Sequence, residues 1–131
     1  MFDKQITVED ILTSDGQHPD RAAVADSAVR NAATVLAVRV NNLLVLFNAR
    51  PDITSGYRTP AANKAAGGAK RSAHLEGRAV DLRDPMGLLA SWCLAHLRDL
   101  ETFGLWMESP TVTKGWCHLQ SRPVGERVFM P

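Results

Sequence analysis

The feature that most restricts the fold is an apolar period that starts just after Asp26-Ser27. Val29, Ala32/Ala33, Leu36, Val40, Leu43 and Phe47 recur at steps of three and four, which stacks them on one face of an α-helix. Arg30, Asn31, Thr34, Arg39 and Asn41 fall elsewhere around it. Asp26 suits the N-cap, because a short carboxylate can accept from a free amide of the first turn. The spacing predicts a helix of about 20 residues, with Pro51 closing the region. Such a helix must bury its apolar face, and the rest of the chain offers mainly short strands to bury it against.

Those strands are Asp52–Tyr57, Ala79–Leu82, Phe103–Glu108 and Trp116–Gln120, with Arg127–Pro131 as a closing edge strand. Pro110 and Lys114-Gly115 mark the loop between the third and fourth. Asp84-Pro85 reads as a cap followed by proline at the first helical position. It predicts a second helix running to about Leu100 that buries Leu88/Leu89, Trp92, Ala95 and Leu97. Thr59 to Ser72 is rich in Ala and Gly, and Gly67-Gly68 argues against one long helix there. Ile6 to Leu12 reads as a short helix or turn, and Asp15-Gly16 and His18-Pro19 as loop. The expectation is α+β: a small single domain, 1–131, with an antiparallel sheet packed against two main helices and residues 1–25 packing on it.

Charge excludes some partners. Fifteen Lys+Arg against fourteen Asp+Glu leave a net charge of +1, with no basic block to suggest nucleic acid. No apolar run is long enough to span a bilayer, and the N-terminus lacks the basic start and apolar core of a secretory signal. Two cysteines, Cys93 and Cys117, make no disulfide framework. The expectation is a monomer made in a reducing cytoplasm, with no membrane and no nucleic acid as partner.

The chemistry concentrates in two stretches, Ser72-Ala73-His74-Leu75-Glu76-Gly77-Arg78-Ala79-Val80-Asp81 and Trp116-Cys117-His118-Leu119-Gln120. Catalytic zinc takes three His or carboxylate ligands and keeps a fourth position open. The interval from His74 to Asp81 leaves room to turn at Gly77 and re-enter on a strand. His118 would then close the set from a distant strand. Such a trio also arises by chance, and the glycine and the small Ala79 between the ligands are what raise it.

The pattern Ser72-x-His74-x-x-Gly77-x-Ala79-x-Asp81, preceded by Ser55-Gly56-Tyr57-Arg58-Thr59-Pro60 and followed by Trp116-x-His118, resembles the zinc DD-peptidase family. That family includes D-Ala-D-Ala carboxypeptidases, D-Ala-D-Ala dipeptidases and phage endolysins that cut the L-Ala-D-Glu bond, on a fold shared with the hedgehog signalling domain. The resemblance covers about half of the chain, three motifs in order. It implies one zinc per chain on His74, Asp81 and His118, and a peptidoglycan stem peptide as substrate. It also implies that Arg58 donates hydrogen bonds to substrate, with Ser72 supporting the same group. A guanidinium suits that task because its fork of donors stays charged.

One position departs from the family. Many members carry a Glu, Asp or His as general base three residues before the last ligand, where this chain has Gly115. Glu108 is the nearest upstream carboxylate, and a hairpin would bring it beside His118. Glu76 is the second candidate. The gap at Gly115 keeps open a non-catalytic zinc- or peptidoglycan-binding module, or a virion structural protein, on the same scaffold. With no signal sequence, a wall-degrading enzyme would reach its substrate after lysis or within a virion, which suits a phage or prophage origin. The remaining candidates read as structural. His18 and His96 have no partner at ligand spacing, and Cys117 should point to the strand face opposite His118. Trp92, Trp106 and Trp116 are packing residues, with Trp116 also a wall of the site.

Overall fold

A computed structural model describes residues 4–131, so the first three residues of the expected N-terminal segment lie outside it. The predicted long helix, α3, runs Ser27–Phe47, after α1 (Val8–Thr13) and α2 (Arg21–Val24). Asp26 caps α3 by accepting from Val29 N at 2.9 Å, and Asn48 ends it in the left-handed region at φ 65°. Ala33, Leu36, Ala37, Val40, Leu43 and Leu44 are buried along it. The stretch read as helix or turn, Ile6–Leu12, is α1 with a capping box, in which Thr7 Oγ1 accepts from Asp10 N and Asp10 Oδ2 from Thr7 N. The Asn41 amide of α3 holds both the N–H and the C=O of Ile6 at 2.8 Å.

Five strands follow: β1 (Ile53–Ser55), β2 (Ala79–Asp84), β3 (Trp106–Glu108), β4 (Gly115–Gln120) and β5 (Val128–Phe129), ordered β1-β2-β4-β3-β5. All pairings are antiparallel except β3 with β5. The fold class is therefore as expected, α+β with a mostly antiparallel sheet. One face of the sheet carries Ile53, Val80, Leu82, Met107, Cys117 and Leu119, which join the buried side of α3 and Leu89, Ala90 and Cys93 in one core. At roughly 25 cal/mol per Å² of apolar surface removed from water, that face is what holds helix and sheet together. Cys117 does point into the core, and both cysteines are free and buried.

The second helix departs from expectation. It divides into α5 (Leu88–Ala95) and α6 (Leu97–Thr102) at His96, whose φ is −129°. The His96 ring bonds the Trp92 carbonyl at 2.7 Å and stacks on the Trp92 ring. The backbone N–H of His96 turns to Cys93 instead. A side chain has taken the carbonyl that a continuing helix would have used. The break re-aims the chain, so Leu89, Cys93 and Leu100 are buried, whereas Leu88, Ala95 and Leu97 are exposed. Asp84 serves as a cap, though not at the position expected. It ends β2, and its two carboxylate oxygens accept from Leu89 N and Ala90 N across the Pro85–Gly87 turn.

A half-buried ion pair ties the end of α1 to the sheet. Asp15 grips the fork of Arg50 at 2.6 and 2.7 Å and also accepts from Ile53 N. Burial alone would raise the Asp15 pKa; the bonds from Arg50 and the Ile53 amide outweigh it and leave the group below its usual value. The linkage follows from that sign. Stability from a depressed carboxyl is present above the unfolded value of about 3.9 and is lost as pH falls through the folded value. Asp15→Asn should cost about 1–2 kcal/mol at neutral pH, because Arg50 loses one of its two carboxylate partners and keeps only Asp10. Urea unfolding of the two proteins should show that gap at pH 7, narrowing progressively as pH falls below about 3.9. A gap independent of pH would assign the loss to packing.

Candidate metal centre

The polar face of the sheet gathers one row of side chains across all five strands. Strand register pairs Ser55 with Asp81 and Asp81 with His118. The β3–β4 pairing of Trp106 with Gln120 and Met107 with Leu119 places Glu108 next to His118, and Glu108 pairs with Phe129. The row is Ser55, Asp81, His118, Glu108, Phe129. His74 reaches the same point from a 3-10 turn, Ala73–Glu76, which Ser72 caps by accepting from His74 N at 3.2 Å. Gly77 ends that turn at φ 73°, the left-handed conformation that glycine adopts without strain. This is the turn between the first two candidate ligands that the spacing called for.

His74, Asp81 and His118 are all buried, and one nitrogen or oxygen from each lies within 4.8 Å of the others. His74 Nε2 is 3.3 Å from Asp81 Oδ2, and His118 Nδ1 is 2.9 Å from Asp81 Oδ1. Ligand atoms on a tetrahedron of zinc dimensions sit about 3.4 Å apart. The donor set therefore fits that metal in both size and chemistry. The far nitrogens of the rings fit it as well. His74 Nδ1 donates to the Gly56 carbonyl at 2.8 Å, which leaves Nε2, on the Asp81 side, as the nitrogen for a metal. A Cβ on Gly56 would collide with the Ile11 carbonyl oxygen, which accounts for glycine at this point of the Ser55-Gly56-Tyr57-Arg58 segment.

Charge is balanced within the cluster. Burial pushes the Asp81 carboxyl up, but hydrogen bonds to His118 and His74 prevail and hold it well below the usual carboxylate range. Burial likewise opposes a charged His118, and the Asp81 carboxylate outweighs it, raising the imidazole above its ordinary value. Arg58 adds a guanidinium 3.6 Å from Asp81 Oδ2, braced by Ser55 Oγ on its Nε.

The cluster opens into a cleft of about 490 Å³ lined in part by Arg58, Ser72, Glu108 and Trp116. A cleft of similar size, about 540 Å³, runs along α3 and contains none of the cluster. Glu108 Oε2 is 3.9 Å from His118 Nδ1, on the neighbouring strand as the hairpin reading required. Glu76 faces elsewhere: it pairs with Arg122 and Arg78 and lines the other cleft. Gly115 pairs with Asp84 rather than with a residue of the row, and its φ of 102° lies where any side chain is strained. Gln120 and Arg122 also line the cleft and were not picked out from sequence. For Gln120 a signal existed, since strand alternation puts it on the face of His118.

A small α+β domain with a buried His-Asp-His cluster at the floor of an open cleft defines a candidate mononuclear metallohydrolase. Residues 5–119 match the family Peptidase M15. The chain belongs to this family of zinc DD-peptidases, so the class is metallopeptidase and the expected metal is zinc. Searches of curated proteins and of solved structures return no significant match. Among the described residues no helix is long and apolar enough to cross a membrane.

Proposed function

We propose that the chain hydrolyses a peptide bond in peptidoglycan stem peptides, as a carboxypeptidase or an endopeptidase of phage or prophage origin. The observation that carries this reading is the cross-strand row, which sets a carboxylate beside a metal-sized His-Asp-His cluster in an open cleft. His74 Nε2, Asp81 and His118 Nδ1 would hold the zinc. When bound, zinc supplies Lewis acidity and lowers the pKa of water in its shell. Glu108 accepts the proton of the attacking water and returns it to the leaving amine. Arg58, anchored through Nε, keeps N–H groups for the oxyanion that forms at the scissile carbonyl. Ser72 and Trp116 border the substrate, and Arg71 and Arg122 give the cleft a cationic wall suited to the free carboxylates of stem peptides.

The test is mass spectrometry of purified peptidoglycan fragments after incubation with the zinc-loaded protein. A fragment pair that together gains one water is expected, and the masses identify the bond. Intact fragments in the presence of protein carrying stoichiometric zinc would make it a binding module instead.

A further inference from the structure

We propose that Gln120 is a positioning residue that selects which nitrogen of His118 is free to bind metal. The inference rests on the zinc reading of the cluster and goes beyond the family match, which ends at residue 119. Gln120 is buried at 3% exposure, and its Oε1 lies 2.7 Å from His118 Nε2. An amide can present oxygen or nitrogen to a neighbour, and the two give opposite tautomers. The second contact resolves this. Gln120 Nε2 donates to the Arg122 carbonyl at 2.9 Å, and a carbonyl only accepts. The oxygen must therefore face the imidazole, so His118 Nε2 carries the proton and donates it. With Nε2 committed to Gln120, Nδ1 is the nitrogen left for a metal, which would replace the proton it shares with Asp81 Oδ1 at 2.9 Å within the cluster.

Gln120 thus does for the third ligand what the Gly56 carbonyl does for the first. The two histidines are anchored through opposite ring nitrogens, each turning its other nitrogen toward one point. Arg122 contributes through its backbone, and its guanidinium pins that segment by donating to the Arg71 carbonyl at 2.7 Å. The chain beyond the family match thereby sets the geometry of a ligand inside it.

The test compares wild type with Gln120→Leu, which is close in volume and has no acceptor. Chelator competition gives the zinc Kd. Nitrogen-15 spectra of the zinc-loaded protein show which His118 nitrogen takes the metal and which keeps its proton. Loss of an outer-sphere partner typically weakens a metal site by about 10- to 100-fold, and that weakening is expected together with loss of the single Nε2–H pattern. A merely structural glutamine would leave that pattern unchanged. Should the leucine variant fail to fold, Gln120→Met, linear and with only a weakly accepting sulfur, carries the same expectation. Wild-type Kd and an unchanged Nε2–H pattern in the folded variant would overturn the proposal. Failure of wild type to take up zinc would overturn the metal reading as well, and is distinguished by that first measurement.

Discussion

His74→Ala should remove the metal and with it all turnover. The wild-type chain is expected to hold one zinc, and the variant none at concentrations that saturate the wild type. The loss should exceed the roughly 10- to 100-fold that an outer-sphere change costs, because a ligand itself is gone. Binding to the folded state alone stabilises a protein by about 4.1 kcal/mol when free ligand is 1,000 times Kd. Zinc should therefore raise the wild-type melting temperature clearly and leave that of the variant unmoved. The zinc-free variant should also melt below zinc-free wild type, since the buried Gly56 carbonyl loses its partner, a loss of about 1–3 kcal/mol. Elemental analysis and thermal melts with and without zinc decide it. One zinc per chain in His74→Ala at wild-type affinity would mean that the cluster is only a hydrogen-bonded pair of histidines around Asp81.

The parts of this site legible in the chain are those set by local spacing. The interval from His74 through Gly77 to Asp81 encodes a turn and a strand entry, and both form. The long apolar period encodes α3 almost to the residue. What spacing does not encode is strand register, which depends on pairings between segments far apart in the chain. That His118 lies opposite Asp81, and that Glu108 completes the row, follows from the β2–β4 and β3–β4 ladders rather than from any one segment. The helix break was hidden for a related reason. Nothing in the apolar period marks His96, because the break comes from one side chain claiming the Trp92 carbonyl. The Asp15–Arg50 clamp joins two segments 35 residues apart that each look like ordinary loop. Gln120 went unnoticed because glutamine on a strand carries no chemical signature until its two amide atoms have named partners.

The departure at Gly115 makes Glu108 the residue on which the mechanism turns. Position 115 pairs with Asp84 at a φ of 102° that suits glycine, so the base has to come from another position. Glu108 comes from the adjacent strand, half-buried, with Oε2 3.9 Å from the candidate ligand nitrogen of His118. It lies outside the three-ligand set, so Glu108→Gln removes a proton acceptor without removing a ligand. The variant should fold, take up one zinc and bind substrate, while kcat falls by about 10² to 10⁴, the usual share of general acid–base catalysis. The amide keeps the shape of the carboxylate and cannot accept the proton from water, so KM should change far less than kcat. Zinc analysis, a melting curve and steady-state kinetics on one stem peptide measure all three quantities. Glu76→Gln is the comparison: its carboxylate pairs with Arg78 and with Arg122 of the metal cleft, so kcat should hold and any change should fall on KM. Wild-type kcat in Glu108→Gln with loss in Glu76→Gln would move the proton transfer to Glu76. Full activity in both would show that neither carboxylate carries the proton.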